Sequence, residues 1–491
     1  MDEVAVRKKN LIMFPLGTVG RDMMYNLFSA QLLSFVLFTR FLTSAQLAAI
    51  TAIMFAARVF DALNDPVMGN IIERTRSRYG KFKPWLVIGI LSTSVVIYAM
   101  FNTKLQGWSF VWFFGAMYFA YSITYTMHDI SYWGMVPALS SDADARNQFT
   151  SRATLFAGIG STLASILIPM LTAGQNAIGG SASVAYGVIA LVVAILGPLF
   201  LAFTVFGAQE RRDDMREAAP PISFKKIFST IFNNDQLRWI VLIFLIQQIG
   251  LNLVLGGIGS TYIYFEFGYE GGLYSLFTTV GMSATAFLMI FYPAISRRIH
   301  RKKLMKLMAV ISCAGYVLML GGGLALGGTV KFVFIVLGYM LSNFGQYCYY
   351  LIMMISIINT VEYNEYISGT RDEAIIASLR PFITKLSSAL VVAVTSATYV
   401  IFGVTGFTNQ ISTLEQACTQ GLISEADKLS QIAAALSGVS RVQSVGLLMS
   451  MTVIPCALML ISYFLYKKKY ILDEEEYERI CTELERRKAA V

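Results

Sequence analysis

The chain has 491 residues, of which 56% are hydrophobic and only 14% charged, and its formal net charge is +9. Soluble domains average ~25% charged residues, so this composition excludes an ordinary soluble protein. With a mean hydropathy of +0.59 it describes an integral membrane protein.

Apolar runs long enough for helices of about 20 residues recur along the whole chain, and none alternates with the short period of an outer-membrane barrel strand. Twelve spans are expected, at roughly 12–38, 45–72, 84–103, 108–138, 147–173, 184–207, 236–265, 272–296, 304–326, 331–358, 374–405 and 442–467. The first ten residues, MDEVAVRKKN, lack the architecture of a cleaved signal peptide, so the first span is expected to stay in the membrane. Basic residues crowd alternate connections: Arg74, Arg76, Arg78, Lys81 and Lys83 after span two, Arg211, Arg212, Arg216, Lys225 and Lys226 after span six, and Arg297, Arg298, Arg301, Lys302 and Lys303 after span eight. Lys467, Lys468 and Lys469 follow span twelve, whereas the opposite connections carry little beyond Arg40, Lys104 and Lys331. The positive-inside rule therefore puts both termini in the cytoplasm. The excess charge records topology and attraction to anionic lipid, and no nucleic-acid partner is expected. Six spans, a polar connector and six more spans divide the chain into an N-terminal bundle (1–207), a cytoplasmic linker (208–235) with Pro220 and Pro221, a C-terminal bundle (236–468) and a charged tail (469–491) read as solvated. A long external segment, 408–440, with an amphipathic stretch at 422–436, separates spans eleven and twelve. The five cysteines have no CxxC or metal-ligand spacing, so neither a disulfide framework nor a metal cofactor is expected.

Ionisable residues inside the spans carry the chemistry, because a charge at the centre of a membrane helix costs at least ~2.5–3.5 kcal/mol and normally lines a polar cavity or pairs. Eight stand out: Arg21, Asp22, Arg58, Asp61, Asp65, Asp129, Arg152 and Lys385. Span one has adjacent Arg21 and Asp22, which cannot fully share a helix face; Asp22 is expected to face the cavity while Arg21 pairs with a neighbouring carboxylate. In span two, offsets of three, four and seven put Arg58, Asp61 and Asp65 on one face. Two carboxylates a turn apart in low dielectric repel unless a cation or proton lies between them, and Asn64 adds another oxygen of the kind a hard monovalent cation takes. Span four offers Tyr125, Asp129 and Trp133 at successive i,i+4 positions, with Thr126 beside them. A carboxylate next to an indole suits a sugar, the first fixing hydroxyls and the second stacking on the ring's C–H face. His128 points away from Asp129 and is read as a helix-packing residue. Arg152 enters from span five and Lys385 from span eleven. The second half is rich in amides and phenols instead, Gln247, Gln248, Asn252, Tyr262, Asn343, Gln346, Tyr347 and Tyr350 among them. These read either as hydroxyl-binding groups or as helix–helix hydrogen bonds.

The run RVFDALNDPVMGNIIERTRSRYGKFKPW at 58–85 and YTMHDISYW at 125–133, with GRD in span one, Arg152, VEYNEY at 361–366 and Lys385, resembles the glycoside–pentoside–hexuronide:cation symporters. The resemblance covers nearly the whole chain. It implies an all-α membrane protein of the major facilitator fold, twelve transmembrane helices in two six-helix bundles, that works by alternating access in a bacterial cytoplasmic membrane. It implies a cation site at Asp61, Asp65, Asn64 and Thr126 for Na⁺, H⁺ or Li⁺, a sugar site at Asp22, Tyr125, Asp129, Trp133 and Arg152, and Lys385 as a link between the two. Arg21 and Tyr350 complete the expected substrate set. The sequence departs from one member of that family at Arg21, where that member has a lysine, at Tyr350, near its tryptophan, at His128, in place of an apolar residue, and at Arg380-Pro381. The function expected is inward symport of a sugar or glycoside with a cation, with a uronide, sulfonated sugar or lysolipid as the alternative substrates. An enzyme is not expected, since two histidines, one of them in a loop, offer no positioned nucleophile or metal set.

Overall fold

The computed structural model describes residues 3–140, 142–210, 224–296 and 298–489, so positions 211–223 of the expected linker and Arg297 lie outside the described residues. The helices in chain order are α1 (Glu3–Ser29), α2 (Leu32–Thr39), α3 (Ser44–Arg74), α4 (Lys83–Asn102), α5 (Gly107–Gly134), α6 (Val136–Leu139), α7 (Ala143–Thr172) and α8 (Ala182–Ala202). They continue with α9 (Phe224–Asn233), α10 (Asp235–Asn252), α11 (Gly259–Phe267), α12 (Gly271–Ser296), α13 (Arg301–Ala325) and α14 (Gly328–Ser368). The last five are α15 (Glu373–Ile401), α16 (Thr405–Thr419), α17 (Glu425–Ser437), α18 (Arg441–Lys469) and α19 (Glu474–Ala489). Among the described residues, nine helical segments are long and apolar enough to cross a membrane. Every predicted span falls on a helix or on two helices in succession.

The chain clusters into two units. The first comprises 1–221, 268–275 and 403–439; the second comprises 222–267, 276–402 and 440–491. In the first unit, α1 is packed through small residues, as close helix approach in lipid requires. A Cβ on Gly20 would lie 2.5 Å from the Leu196 carbonyl oxygen and 2.9 Å from the Gly197 Cα of α8. A Cβ on Gly160 of α7 would collide with the Val19 carbonyl. Asn26 of α1 reaches Ser165 of α7 at 2.7 Å. Gly20→Ala is therefore expected to cost ~1–3 kcal/mol through overpacking and to lower the thermal midpoint of the purified protein. Gly158→Ala, at a position whose Cβ meets nothing within 4 Å, is expected to leave that midpoint unchanged.

Predicted span one does not run straight through. It stops at Ser29 and restarts at Leu32, and all eight side chains of α2 are buried. Thr43 and Gln46 then form a reciprocal capping box, at 3.2 and 3.0 Å, that starts α3.

In the second unit, predicted span seven is broken between α10 and α11, where Gly257 has φ +113°. The backbone groups freed by the break are met from α15: Thr395 Oγ1 donates to the Gly256 carbonyl at 3.1 Å and Tyr399 OH to that of Gly257 at 2.8 Å. Irregular backbone at membrane depth needs such partners. α14 runs 41 residues, about twice the length that crosses the apolar core. Its last turns carry VEYNEY, whose Glu362 and Glu365 hold Arg371 at 2.7 and 3.1 Å.

The charged tail is not the solvated segment its composition suggests. α19 buries Ile480 and Leu484 in the second unit's apolar core. Glu474 and Asp473 pair with Arg301 and Lys302 at 3.2 and 2.6 Å. An amphipathic helix beside a basic loop docks, and overall charge content conceals that pattern.

Candidate functional site

Two stripes of α5 organise the buried charges of the first unit. Along one stripe Ser122 and Thr126, a turn apart, face the two carboxylates of α3, also a turn apart. The Ser122 hydroxyl bonds Asp61 Oδ1, and Thr126 Oγ1 donates to Asp65 Oδ1 at 3.1 Å. The matched four-residue spacing on both helices makes this a two-rung ladder. Asp61 is buried, and its second oxygen receives Arg58 Nη1 at 3.3 Å. The Arg58 guanidinium in turn lies 5.8 Å from the Tyr118 ring centroid. Asn64 is half-buried on the same helix, and its Nδ2 is enclosed without a hydrogen-bond partner. Carboxylate, hydroxyl and amide oxygens are the donor set that hard cations take, and the ladder gathers them on two helices.

Sequence reasoning finds Asp61, Asn64, Asp65 and Thr126 but misses Ser122. Ser122 stands four residues before Thr126 on the same face, but nothing along α5 alone shows that this turn meets Asp61.

Along the adjacent stripe, Arg21 is almost fully buried and bridges two carboxylates. Its Nη2 lies 3.2 Å from Asp22 Oδ2 and its Nη1 3.1 Å from Asp129 Oδ1. Helical spacing alone turns the neighbouring Asp22 away from Arg21; the length of the arginine side chain lets it hold both. The carboxylates are the more open partners, 20% and 37% exposed against 2% for the guanidinium. Arg21 also lies over aromatic rings, 4.5 Å from the Tyr132 centroid and 5.3 Å from that of Trp133. Tyr132 is fixed by stacking on Phe14 at 4.3 Å and by a 2.6 Å bond from its hydroxyl to the Phe14 carbonyl. Tyr125 stacks on Tyr121 at 5.3 Å and contacts Tyr25 at 5.5 Å. The result is a pair of accessible carboxylates, pinned from beneath by one cation and flanked by rings.

His128 is fully buried with its ring edge-on to Tyr125 at 4.6 Å. A Cβ on Gly89 of α4 would lie 2.7 Å from the His128 backbone nitrogen. The histidine thus sits where α4 and α5 come close together.

Arg152 is not drawn into the carboxylate pair. Its Nη1 donates to the Leu11 carbonyl of α1 at 3.2 Å, three helical turns before Asp22. In the second unit, Arg380 Nη2 donates to the Tyr350 hydroxyl at 2.8 Å, and Lys385 is half-buried further along α15. The amides expected there mostly bond one another: Gln247 to Gln346 at 3.1 Å, Gln248 to Gln247 at 2.8 Å, and Gln346 to Tyr316 at 3.3 Å. Asn343 bonds Thr285 at 3.1 Å. Apart from the Gln248–Gln247 bond, which lies within α10, these contacts are helix–helix hydrogen bonds.

A family model described as "MFS/sugar transport protein" matches residues 13–474. The chain belongs to this family. Members of the MFS/sugar transport protein family are membrane transporters and not enzymes, and the resemblance to the cation-coupled glycoside symporters holds at this level. A lactose permease from Leuconostoc lactis is 28% identical over 81% of this chain and 63% of the permease. The chain thus spans less than two thirds of the length of that relative. A raffinose carrier protein from Pediococcus pentosaceus is 24% identical over 97% of this chain and 71% of the carrier. Among solved structures, a D-xylose–proton symporter superposes with a TM-score of 0.60 over 94% of this chain and 98% of the symporter, at 13% identity. The last likeness speaks for the major facilitator fold, in keeping with a multi-pass membrane protein.

Proposed function

We propose that this protein is a secondary active symporter that moves a neutral saccharide or glycoside inward together with Na⁺, H⁺ or Li⁺. One observation carries the reading: α5 supplies Ser122 and Thr126 to the carboxylates of α3, and Asp129 to the guanidinium that holds Asp22 of α1. A cation entering between Asp61 and Asp65 would offset their repulsion and fix α5 against α3. That orients the face bearing Tyr125, Asp129 and Trp133, on which a sugar would bind. Ligands on one rigid helix give each site a means of biasing the other, the coupling a symporter needs. The relatives named for lactose and raffinose fit a saccharide. A uronide or sulfonated sugar fits less well, because Arg21 is already held by two carboxylates and has no charge to spare for an anion. The basic connections orient both termini to the cytoplasm in this reading. Lys385, Tyr350 and Arg152 are proposed as later contacts of the bound sugar or of the cycle.

The test is transport by the purified protein in lipid vesicles. An imposed sugar gradient is expected to drive Na⁺ or protons in the same direction. Asp65→Cys is expected to abolish stimulation of sugar binding by the cation while leaving a folded protein. Undiminished stimulation in that variant overturns the assignment of Asp65, and sugar movement without cation movement overturns symport.

A further inference from the structure

The second unit contains a thiol pair for which the proposed transport cycle has no use. Helices α13 and α18 pack closely enough that a Cβ on Gly323 would collide with the Leu448 side chain. Ten residues back along α13 from that crossing stands Cys313, and eight residues on along α18 stands Cys456. At ~1.5 Å per residue these steps are about 15 and 12 Å, which brings the cysteines of two antiparallel helices to one level. Their thiols lie close enough there to interact. The partnership joins positions 143 residues apart, and no spacing in the sequence announces it.

The pair opens outward. Cys313 stands three residues after Val310 and four before Val317, and Cys456 stands three after Val453 and four before Leu460; all four flanking residues are exposed. Residues at these offsets share a helix face. Both cysteines are half-buried along this apolar stripe, which is the surface such a unit presents to lipid. Both lie in the middle of helices that cross the membrane by length and composition. Water-soluble thiol reagents have no route to that depth, whereas lipophilic ones do.

We infer that Cys313 and Cys456 form a bilayer-embedded dithiol site for lipophilic electrophiles that bind two sulfurs, with trivalent organoarsenicals as the chemical class. Soft thiol sulfur selects such thiophiles. In the reaction an arsenoxide R–As=O condenses with the two thiols. Two As–S bonds form, the As=O bond breaks, and the two thiol protons leave with its oxygen as water, with no change in oxidation state. The second As–S bond closes intramolecularly, at an effective concentration of at least ~mM, so the adduct resists competition by monothiols. The product staples α13 to α18.

The experiment uses the full chain in lipid nanodiscs, phenylarsine oxide as the probe and intact mass as the readout, which does not depend on whether a sugar is transported. One arsenical per chain is expected to survive about a hundredfold excess of 2-mercaptoethanol and to be removed by 2,3-dimercaptopropanol. Cys313→Ser and Cys456→Ser are each expected to lose the monothiol-resistant adduct, while Cys348→Ser keeps it. Size-exclusion profiles matching the parent protein establish that the serine variants are folded. A resistant adduct that persists in Cys313→Ser or Cys456→Ser, or a parent adduct that 2-mercaptoethanol removes, overturns the site.

Discussion

Asp22→Cys is expected to weaken saccharide binding more than a hundredfold while leaving cation binding nearly unchanged. Asp22 is the more enclosed of the two carboxylates held by Arg21, at 3.2 Å, and Asp129 keeps its own 3.1 Å contact when Asp22 is gone. The guanidinium therefore stays paired and the bundle is not left with an uncompensated buried charge, the usual route by which such a substitution unfolds a protein. What disappears is an ionised acceptor facing the proposed sugar. Hydrogen bonds to charged groups contribute ~1.5–3 kcal/mol each, and a carboxylate that accepts from two hydroxyls loses both. Two such losses exceed a hundredfold in affinity. The cation ladder shares no side chain with this pair, since Asp61 and Asp65 are bonded by Ser122 and Thr126. Calorimetry of the purified variant with sugar and with Na⁺ separates the two. Loss of cation binding with sugar binding retained would mean that the two assignments are reversed.

The site is legible in the sequence wherever the physics is local. A buried charge in a membrane helix is costly wherever it stands, so Arg21, Asp22, Arg58, Asp61, Asp65 and Asp129 stand out by residue type alone. Helical periodicity then groups Arg58 with Asp61, and Tyr125 with Asp129. Periodicity along one helix says nothing of which turn faces which on another. For that reason Ser122 escapes sequence reasoning, although it bonds Asp61 as Thr126 bonds Asp65. Resemblance puts Arg152 with the sugar group, but its reach to the Leu11 carbonyl depends on how α7 lies on α1. The breaks at Ser29 and at Gly257 are a few residues long and fall inside runs that stay apolar overall, so a hydropathy window of helix length passes over them. The docking of α19 and the meeting of Cys313 with Cys456 are likewise tertiary facts, joined by packing across long stretches of chain.

The segment between α15 and α18 gives the other large effect. Flanked in the chain by α15 and α18 of the second unit, α16 and α17 cluster with the first, and a fully buried ion pair joins the two helices where they meet it. Glu415 and Lys428 are 0% exposed and 3.4 Å apart. Glu415 also accepts the Ala182 backbone N–H at 2.7 Å, and Lys428 donates to the Gly180 carbonyl at 2.7 Å. Asn409 exchanges two hydrogen bonds with the Leu42 backbone, at 2.9 and 2.8 Å, and Gln416 reaches the Thr39 carbonyl at 3.0 Å. Removing one partner of a buried pair strands the other, at a cost of ~3–5 kcal/mol. Lys428→Met is therefore expected to speed backbone hydrogen exchange across 405–437 by about a hundredfold or more. Glu415→Gln combined with Lys428→Met is expected to recover much of the protection, because no charge is then buried. Burial already pushes the Glu415 carboxyl above its usual range, with Lys428 opposing the rise, and loss of the lysine lifts it further. The docked form then holds a proton that the undocked form releases, so docking strengthens as pH falls. The Lys428→Met defect should accordingly shrink between neutral pH and about pH 5, just above the ordinary glutamate value of ~4.3. Exchange in 405–437 that is unchanged by Lys428→Met at neutral pH would show that the backbone contacts of Asn409 and Gln416 hold the segment without the ion pair.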